Sequence, residues 1–210
     1  MKTLTRYLLS SFGGGVVTRD EVKAACKKFR ASYASTVNFM ISYGYLIRIL
    51  RGLYYVKTLE EFKLGKAVDV HRVISLGLNR LGVSWYFGLY TALRLNGLVH
   101  EFPSVTFIVN DSIFRPKEIE IAGGKTRFLK LKRGLFGFGV VDKGGVKFSD
   151  PEKTVLDLVY FSRYRGLPGE RIISMIGEYG ERLEKEKLEA YLKFYPKTVE
   201  GVIGERGRRK

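Results

Sequence analysis

The N-terminal part of the chain carries three segments in which hydrophobic residues recur three and four positions apart. This spacing places them on one side of an α-helix. The first segment stops at the glycines of residues 13–15, and the third stops at Gly44, a residue type common at helix C-termini. The three apolar stripes consist of Leu4, Leu8 and Leu9, then of Val22, Ala25, Cys26 and Phe29, and finally of Ala34, Val37, Met40 and Ile41.

Separate signals mark the start of the second helix and the segment after the third. Thr18 is followed three residues later by Glu21, which is the spacing of a capping box. Hydrophobic residues alternate over 45–49 and 53–56, and Arg51 with Gly52 separates the two runs, which predicts a β-hairpin. Three helices followed by a two-stranded hairpin predict a winged helix-turn-helix domain over residues 1–57.

The pattern changes after residue 57. Residues 58–66 are polar and are interpreted as a linker, after which helical spacing returns. Helices are predicted at 67–81, 84–95, 150–161, 169–179 and 181–195, strands at 105–109, 118–121, 126–131, 140–141 and 146–148, and a disordered basic tail at 204–210. The chain is therefore predicted to be α+β. The winged helix-turn-helix is followed, over residues 67–210, by an α+β domain with a small antiparallel sheet flanked by helices.

The charge of the chain is strongly positive and unevenly distributed. The formal net charge is +16 and the pI is about 9.9. Residues 1–57 hold ten Lys and Arg against two acidic residues, a net charge of +8, whereas residues 151–210 carry only +3. A positive field of this size favours polyanionic partners, and its concentration at the N-terminus predicts that this end binds double-stranded DNA.

Composition also excludes several classes of protein and site. The single cysteine, Cys26, rules out an intramolecular disulfide, and with only two histidines no cluster has the spacing of a zinc site. No apolar run approaches the roughly 18 residues that a membrane span needs, so we expect a cytoplasmic protein with no membrane partner. The absence of glutamine beside many Lys, Arg and Glu residues is a bias typical of thermophiles.

The third predicted helix is the candidate recognition helix. Hydroxyl and amide side chains can reach base edges, and Asn pairs best with adenine. Basic residues before the helix suit phosphate contacts, and arginines on the hairpin suit the backbone or the minor groove. The predicted DNA-binding residues are Lys27, Lys28, Arg30, Ser32, Ser35, Thr36, Asn38, Phe39, Ser42, Arg48 and Arg51. The competing interpretation is an adaptor whose winged domain binds protein.

Motifs for catalysis and for cofactor binding are weak. Residues 123–126 imitate the end of a phosphate-binding loop, but Ile119 stands where its first glycine is required. The densest acidic group is Asp150, Glu152 and Asp157, interpreted as a helix start and a surface pair between Lys153 and Asp157 that contributes about 0.5 kcal/mol or less. We therefore predict no catalytic residue, metal or cofactor. A metal-dependent enzyme acting on nucleic acid remains the alternative.

The remaining basic group, Lys130, Lys132 and Arg133, has two interpretations. It is either a second contact for a polyanion or the solvated face of a strand. The sequence does not favour one over the other.

Four segments in order resemble the AbiEi-type antitoxins, the transcriptional regulators of type IV toxin–antitoxin (abortive infection) systems. They are GYLIRILRGLYYV at 44–56, YFGLYTALRLNGL at 86–98, the strand-rich middle of the chain, and FSDPEKTVLDLV at 148–159. The resemblance implies a winged-helix domain that binds promoter DNA and represses its own operon. It also implies a C-terminal domain that neutralises a nucleotidyltransferase-like toxin and has no catalytic activity.

Overall fold

The computed structural model describes residues 2–100, 103–165 and 182–207. It has an α+β fold with two sheets, and the chain divides into two compact units. The first unit is Met1–Gly82 with Glu120–Gly124, and the second is Val83–Ile119 with Lys125–Lys210.

The first unit contains the predicted helices and hairpin together with one strand that the sequence pattern did not reveal. Its elements are α1 (Lys2–Phe12), β1 (Val16–Thr18), α2 (Arg19–Lys28), α3 (Tyr33–Ser42), β2 (Leu46–Leu50) and β3 (Leu53–Val56). The three strands form an antiparallel sheet in the order β1-β3-β2. β1 is only three residues long, too short for an alternating pattern to stand out.

The capping box predicted at the start of α2 is confirmed. The Glu21 backbone N–H donates to the Thr18 hydroxyl, and the Glu21 carboxylate accepts from the Thr18 backbone N–H at 2.7 Å. The other carboxylate oxygen of Glu21 lies 2.6 Å from the Arg80 guanidinium. Burial alone would raise the pKa of Glu21, but its bonds to Thr18 and Arg80 lower it overall. The carboxylate therefore stays charged and fixes the N-terminus of α2.

Packing of the helices on the sheet corrects the predicted apolar stripe of α3. The core of the first unit includes Val37 and Met40, as the spacing predicts. Thr36, however, is 2% exposed and lies on the buried face, whereas Ala34 is exposed. The buried face of α3 is therefore rotated from the predicted one, because Ala34 is too small to determine which side packs inward.

The segment predicted as a linker is partly helical, and the first unit extends beyond it. α4 (Leu59–Lys63) has its own capping box between Thr58 and Glu61. α5 (Val70–Leu81) packs on the three-stranded sheet, and a Cβ at Gly77 would lie 2.7 Å from Cδ1 of Ile49. The absence of a side chain at Gly77 permits this close approach. The helix therefore belongs with the first unit, whose N-terminal segment extends to Gly82 rather than ending at residue 57.

The second sheet has six strands in the order β6-β7-β5-β4-β9-β8. Its strands are β4 (Trp85–Phe87), β5 (Val105–Asn110), β6 (Ile119–Ile121), β7 (Gly124–Lys130), β8 (Val140–Lys143) and β9 (Val146–Ser149). β4 with β5 and β8 with β9 are antiparallel, but β4 with β9 and β5 with β7 are parallel. The prediction of an antiparallel sheet is therefore wrong, because strand direction depends on long-range pairing that local alternation does not encode.

Helices complete the second unit. They are α6 (Leu89–Leu95), α7 (Pro151–Arg165), α8 (Lys185–Leu192) and α9 (Lys197–Gly207), with a 3₁₀ turn at Arg133–Leu135. The helix predicted over 84–95 contains β4 before α6, since three consecutive bulky residues fit either pattern. The tail predicted as disordered from residue 204 continues α9 to Gly207, and the helix predicted at 169–179 lies outside the described residues.

We predict that replacing Gly139 by Ala destabilises the protein more than replacing Gly144 by Ala. Both have left-handed φ values, +63° and +61°, which alone cost an alanine about 1–2 kcal/mol. A Cβ at Gly139 would lie 2.7 Å from the Lys153 Cβ, whereas nothing lies within 4 Å at Gly144. Crowding should add about 1–3 kcal/mol at Gly139. Urea unfolding measures the difference, and equal losses would show that the crowding is relieved without cost.

Candidate nucleic-acid interface

The solvent-facing side of α3 carries short polar side chains. Ser35, Asn38 and Ser42 are exposed, and their spacing of three and four residues places them on one face. Ser32 is exposed directly before the helix and makes no side-chain capping bond. The Ser42 hydroxyl donates to the Phe39 carbonyl at 3.0 Å. The face therefore offers hydroxyl and amide groups with little steric bulk around them.

Two residues predicted to contact DNA from this helix do not lie on that face. Thr36 is buried in the core of the first unit, so the prediction that it lies on the exposed face and contacts DNA is wrong. Phe39 is half-buried, and its ring centre lies 4.4 Å from that of Tyr43 and 6.4 Å from that of Tyr45. Its ring packs against other aromatic rings of the same unit. A hydroxyl at position 36 indicated a polar surface position, but burial depends on the sheet that α3 meets.

The predicted basic residues of the first unit are all exposed. Arg48 lies on β2 opposite Tyr54, and Arg51 lies in the turn before β3. Lys27 and Lys28 end α2, where cations also stabilise the helix dipole. The Lys28 ammonium lies 4.8 Å from the centre of the Tyr7 ring. Arg30 follows α2 with a φ of +50°. Their exposure leaves these charges accessible to an anionic partner.

The acidic group of α7 is buried, which contradicts the predicted surface location. Lys153 and Asp157 are both 0% exposed, and the Lys153 Nζ lies 3.6 Å from the Asp157 Oδ1. The ammonium also donates to the Leu135 carbonyl at 2.7 Å and to the Tyr195 hydroxyl at 3.2 Å. The Asp157 carboxylate accepts from the hydroxyls of Tyr86, at 2.7 Å, and Tyr195, at 2.6 Å. The predicted i, i+4 pair exists, but in the core.

The other two carboxylates connect the start of α7 to α8. Asp150 accepts from the Lys153 backbone N–H at 2.9 Å and from the Tyr191 hydroxyl at 3.0 Å. Glu152 accepts from the backbone N–H of Glu184 at 2.9 Å. The Lys187 ammonium lies 3.0 Å from the Asp150 carboxylate and 3.1 Å from that of Glu152. Asp150 thus caps α7 as predicted and also fastens α8 to it.

The electrostatics of this group follow from burial and from close partners. Burial raises the pKa of Asp157 and lowers that of Lys153. Burial alone would also lower the pKa of Lys187, but hydrogen bonds to Asp150 and Glu152 raise it. Within the described ranges, no group of three or more His, Cys, Asp or Glu residues is placed to hold a metal ion. The carboxylates are engaged by protein cations and hydroxyls, and the arrangement ties helices together.

The glycine pairs lie in turns, and the basic residues of the second stripe are exposed. Residues 123–124 lie where β6 ends and β7 begins. At the β8–β9 turn, the Gly145 backbone N–H donates to the Asp142 carboxylate at 2.8 Å. Lys130 and Lys132 are exposed, and the Arg133 Nε lies 3.0 Å from the Asp111 Oδ2. None of the helices in the described part of the chain is long and apolar enough to cross a bilayer.

Comparison with known proteins finds a similar fold among solved structures. No family model matches the chain, and no curated protein matches it. The fold is similar to the crystal structure of the RV2827C protein from Mycobacterium tuberculosis, with a TM-score of 0.60 and 13% sequence identity. The similarity covers 94% of this chain and 72% of that one. At this identity the similarity shows a shared fold.

We predict that Asp157→Ala destabilises the protein by about 3–5 kcal/mol, because it leaves the buried Lys153 amine without its anionic partner. The surface pair expected from sequence would contribute about 0.5 kcal/mol or less. Chemical denaturation measures the loss, with Glu189→Ala, an exposed acid on α8, as control.

A double-mutant cycle measures the interaction energy between Lys153 and Asp157. Asp157→Asn keeps an acceptor oxygen for one of the two tyrosine hydroxyls and should cost less in a Lys153→Met background than in the natural chain. Additive effects of the two substitutions would contradict a coupled buried pair.

Proposed function

We propose that the first unit is a winged helix-turn-helix domain that binds double-stranded DNA. The observation that carries the proposal is the element order α1-β1-α2-α3-β2-β3 with the sheet order β1-β3-β2, combined with the exposed polar face of α3. α3 is the recognition helix in the major groove, and the β2–β3 hairpin is the wing. The net charge of +8 over residues 1–57 supports the choice of DNA over a protein partner.

The exposed side chains divide into two roles. Asn38 is the residue best suited to a base, since its amide can donate to and accept from adenine in the major groove. Ser32, Ser35 and Ser42 add shorter hydrogen-bonding groups along the same helix. The basic set contacts phosphate and carries no sequence information by itself. Its members are Lys27, Lys28, Arg30, Arg48 and Arg51.

We further propose that the protein is a sequence-specific transcriptional repressor that serves as the antitoxin of a type IV toxin–antitoxin system. The support is the resemblance of residues 44–56, 86–98 and 148–159 to AbiEi-type regulators. Two of these segments pack together in the second unit. Residues 86–98 contain β4 and α6, residues 148–159 contain the start of α7, and α6 contacts α7. In this proposal the second unit binds a nucleotidyltransferase-like toxin.

The alternative of a metal-dependent enzyme has less support. Its candidate ligands were Asp150, Glu152 and Asp157, and each of these carboxylates accepts hydrogen bonds from the protein. Releasing them for a metal would leave the ammonium groups of Lys153 and Lys187 without their anionic partners. That cost favours a structural role for the acidic group.

We predict that the full chain binds a duplex selected from a random library, and that log affinity falls with log salt by about 0.9 per phosphate neutralised. Arg48→Ala and Arg51→Ala should weaken selected and random duplexes alike and reduce the salt slope by about one each. Asn38→Ala should lower the discrimination between the two duplexes by about 1–3 kcal/mol. Fluorescence anisotropy over a salt series measures both quantities.

A control variant and two contrary outcomes complete this experiment. Lys66→Ala removes an exposed charge outside the proposed DNA-binding set and should change neither the salt slope nor the discrimination beyond a small shift. Asn38→Ala could instead lower the affinity for the selected and the random duplex alike, while an arginine variant lowers the discrimination between them. That result would mean that the hairpin reads the sequence and α3 contacts the phosphates. Binding that is independent of salt, or undetectable with every duplex, would contradict the proposal.

We predict that the second unit binds a toxin without hydrolysing nucleic acid. The full chain should co-purify with a nucleotidyltransferase-like protein encoded beside it, and it should produce no turnover of DNA or RNA with divalent metal. Turnover that is lost in Asp150→Asn, with unchanged thermal unfolding, would overturn the non-enzymatic proposal and favour the alternative.

A further inference from the structure

A band of aromatic and aliphatic side chains lies exposed on the first unit, between the end of α3 and α4. We call it the aromatic strip. Neighbouring ring centres are 4.4 Å apart for Phe39 and Tyr43, 6.4 Å for Phe39 and Tyr45, and 4.3 Å for Tyr45 and Phe62. Exposed fractions of its outer members are 61% for Tyr43, 55% for Leu59, 36% for Phe62 and 66% for Leu64. Large apolar groups clustered in this way mark interaction surfaces on soluble proteins.

The strip is presented by a fixed helix. The Thr58 backbone N–H donates to Glu61 at 2.8 Å, and the Glu61 backbone N–H donates to the Thr58 hydroxyl at 3.0 Å. The Glu61 carboxylate also accepts from the hydroxyl of buried Tyr55, at 2.8 and 3.0 Å. α4 is therefore anchored to the β3 strand. The backbone that carries Leu59 is therefore ordered before it meets a partner, which lowers the entropy cost of binding.

The charges next to the strip are of mixed sign. Residues 57–66 carry three lysines and two glutamates. Leu59 and Leu64, two of the most exposed members of the strip, are aliphatic and provide no ring for a base to stack on. Glu60 and Lys63 are exposed and lie one helical turn apart, which makes the charge pattern self-complementary.

We propose that the aromatic strip is a homodimer interface that pairs two copies of this chain. In a two-fold symmetric interface the same surface is used by both copies. If one residue of the first copy contacts a second residue of the other copy, the symmetry repeats that contact with the copies exchanged. Glu60 of each copy then faces Lys63 of the other, beside a shared apolar contact of Leu59, Leu64 and Tyr43. The dimer is independent of the proposed DNA binding, because none of the exposed DNA-facing residues belongs to the strip.

Sedimentation velocity of the full chain over a concentration series tests the proposal. The chain should sediment as a dimer that dissociates on dilution, and Leu59→Glu and Leu64→Glu should each raise the dissociation constant by at least about tenfold. Leu81→Glu is the matched control, since Leu81 is 43% exposed on α5 outside the strip, and it should leave the dimer intact. All substituted positions are exposed, so the far-ultraviolet circular dichroism spectrum of each variant should stay unchanged.

A mixing experiment tests the two-fold geometry itself. Glu60→Lys and Lys63→Glu should each weaken the homodimer, because each places like charges opposite one another. An equimolar mixture of the two variants should dimerise again, since every facing pair is then opposite in sign. A chain that is monomeric at every concentration overturns the proposal, as does a dimer insensitive to the strip variants. A monomer whose binding to single-stranded DNA falls in Leu64→Glu would assign the strip to nucleic acid instead.

Discussion

The buried ion pair between Lys153 and Asp157 determines how the second unit is assembled. Two charges in the core are tolerated only when every polar atom has a partner, so the surrounding elements must converge on α7. Tyr86 on β4 and Tyr195 in the segment after α8 donate their hydroxyls to the Asp157 carboxylate. The Leu135 carbonyl in the 3₁₀ turn accepts from the Lys153 ammonium. A packing in which any of these were displaced would leave a charge or hydroxyl unsatisfied. The pair therefore connects β4, the 3₁₀ turn, α7 and the segment after α8.

In contrast to the second unit, the first unit has its charged and polar side chains mostly on the surface. Its core is almost entirely apolar, and its exposed side combines small polar groups on α3 with arginines on the hairpin. Glu21 takes part in a capping box and in an ion pair with Arg80, so one of the two acidic residues within residues 1–57 is paired inside the fold. The remaining charge is predominantly positive and accessible, which is the arrangement that the proposed binding of DNA requires.

Particular residues show where sequence reasoning worked and where it failed. The spacing of Thr18 and Glu21 predicted the start of α2, because capping is decided by atoms three residues apart. The same kind of local reasoning failed for Asp157, whose i, i+4 partner was identified correctly but placed on the surface. It also failed for Thr36, which was assigned to the exposed face. Burial depends on which other elements cover a helix, and those elements are distant in sequence.

The sequence by itself determined the first three helices and the hairpin of the first unit, most strands of the second and the location of the positive charge. These features follow from short-range periodicity, turn chemistry and composition. The tertiary structure alone decided the parallel pairings of β4 with β9 and β5 with β7, the inclusion of α5 in the first unit and the burial of the acidic group. Each of these depends on contacts between residues far apart in the chain, which local patterns do not specify.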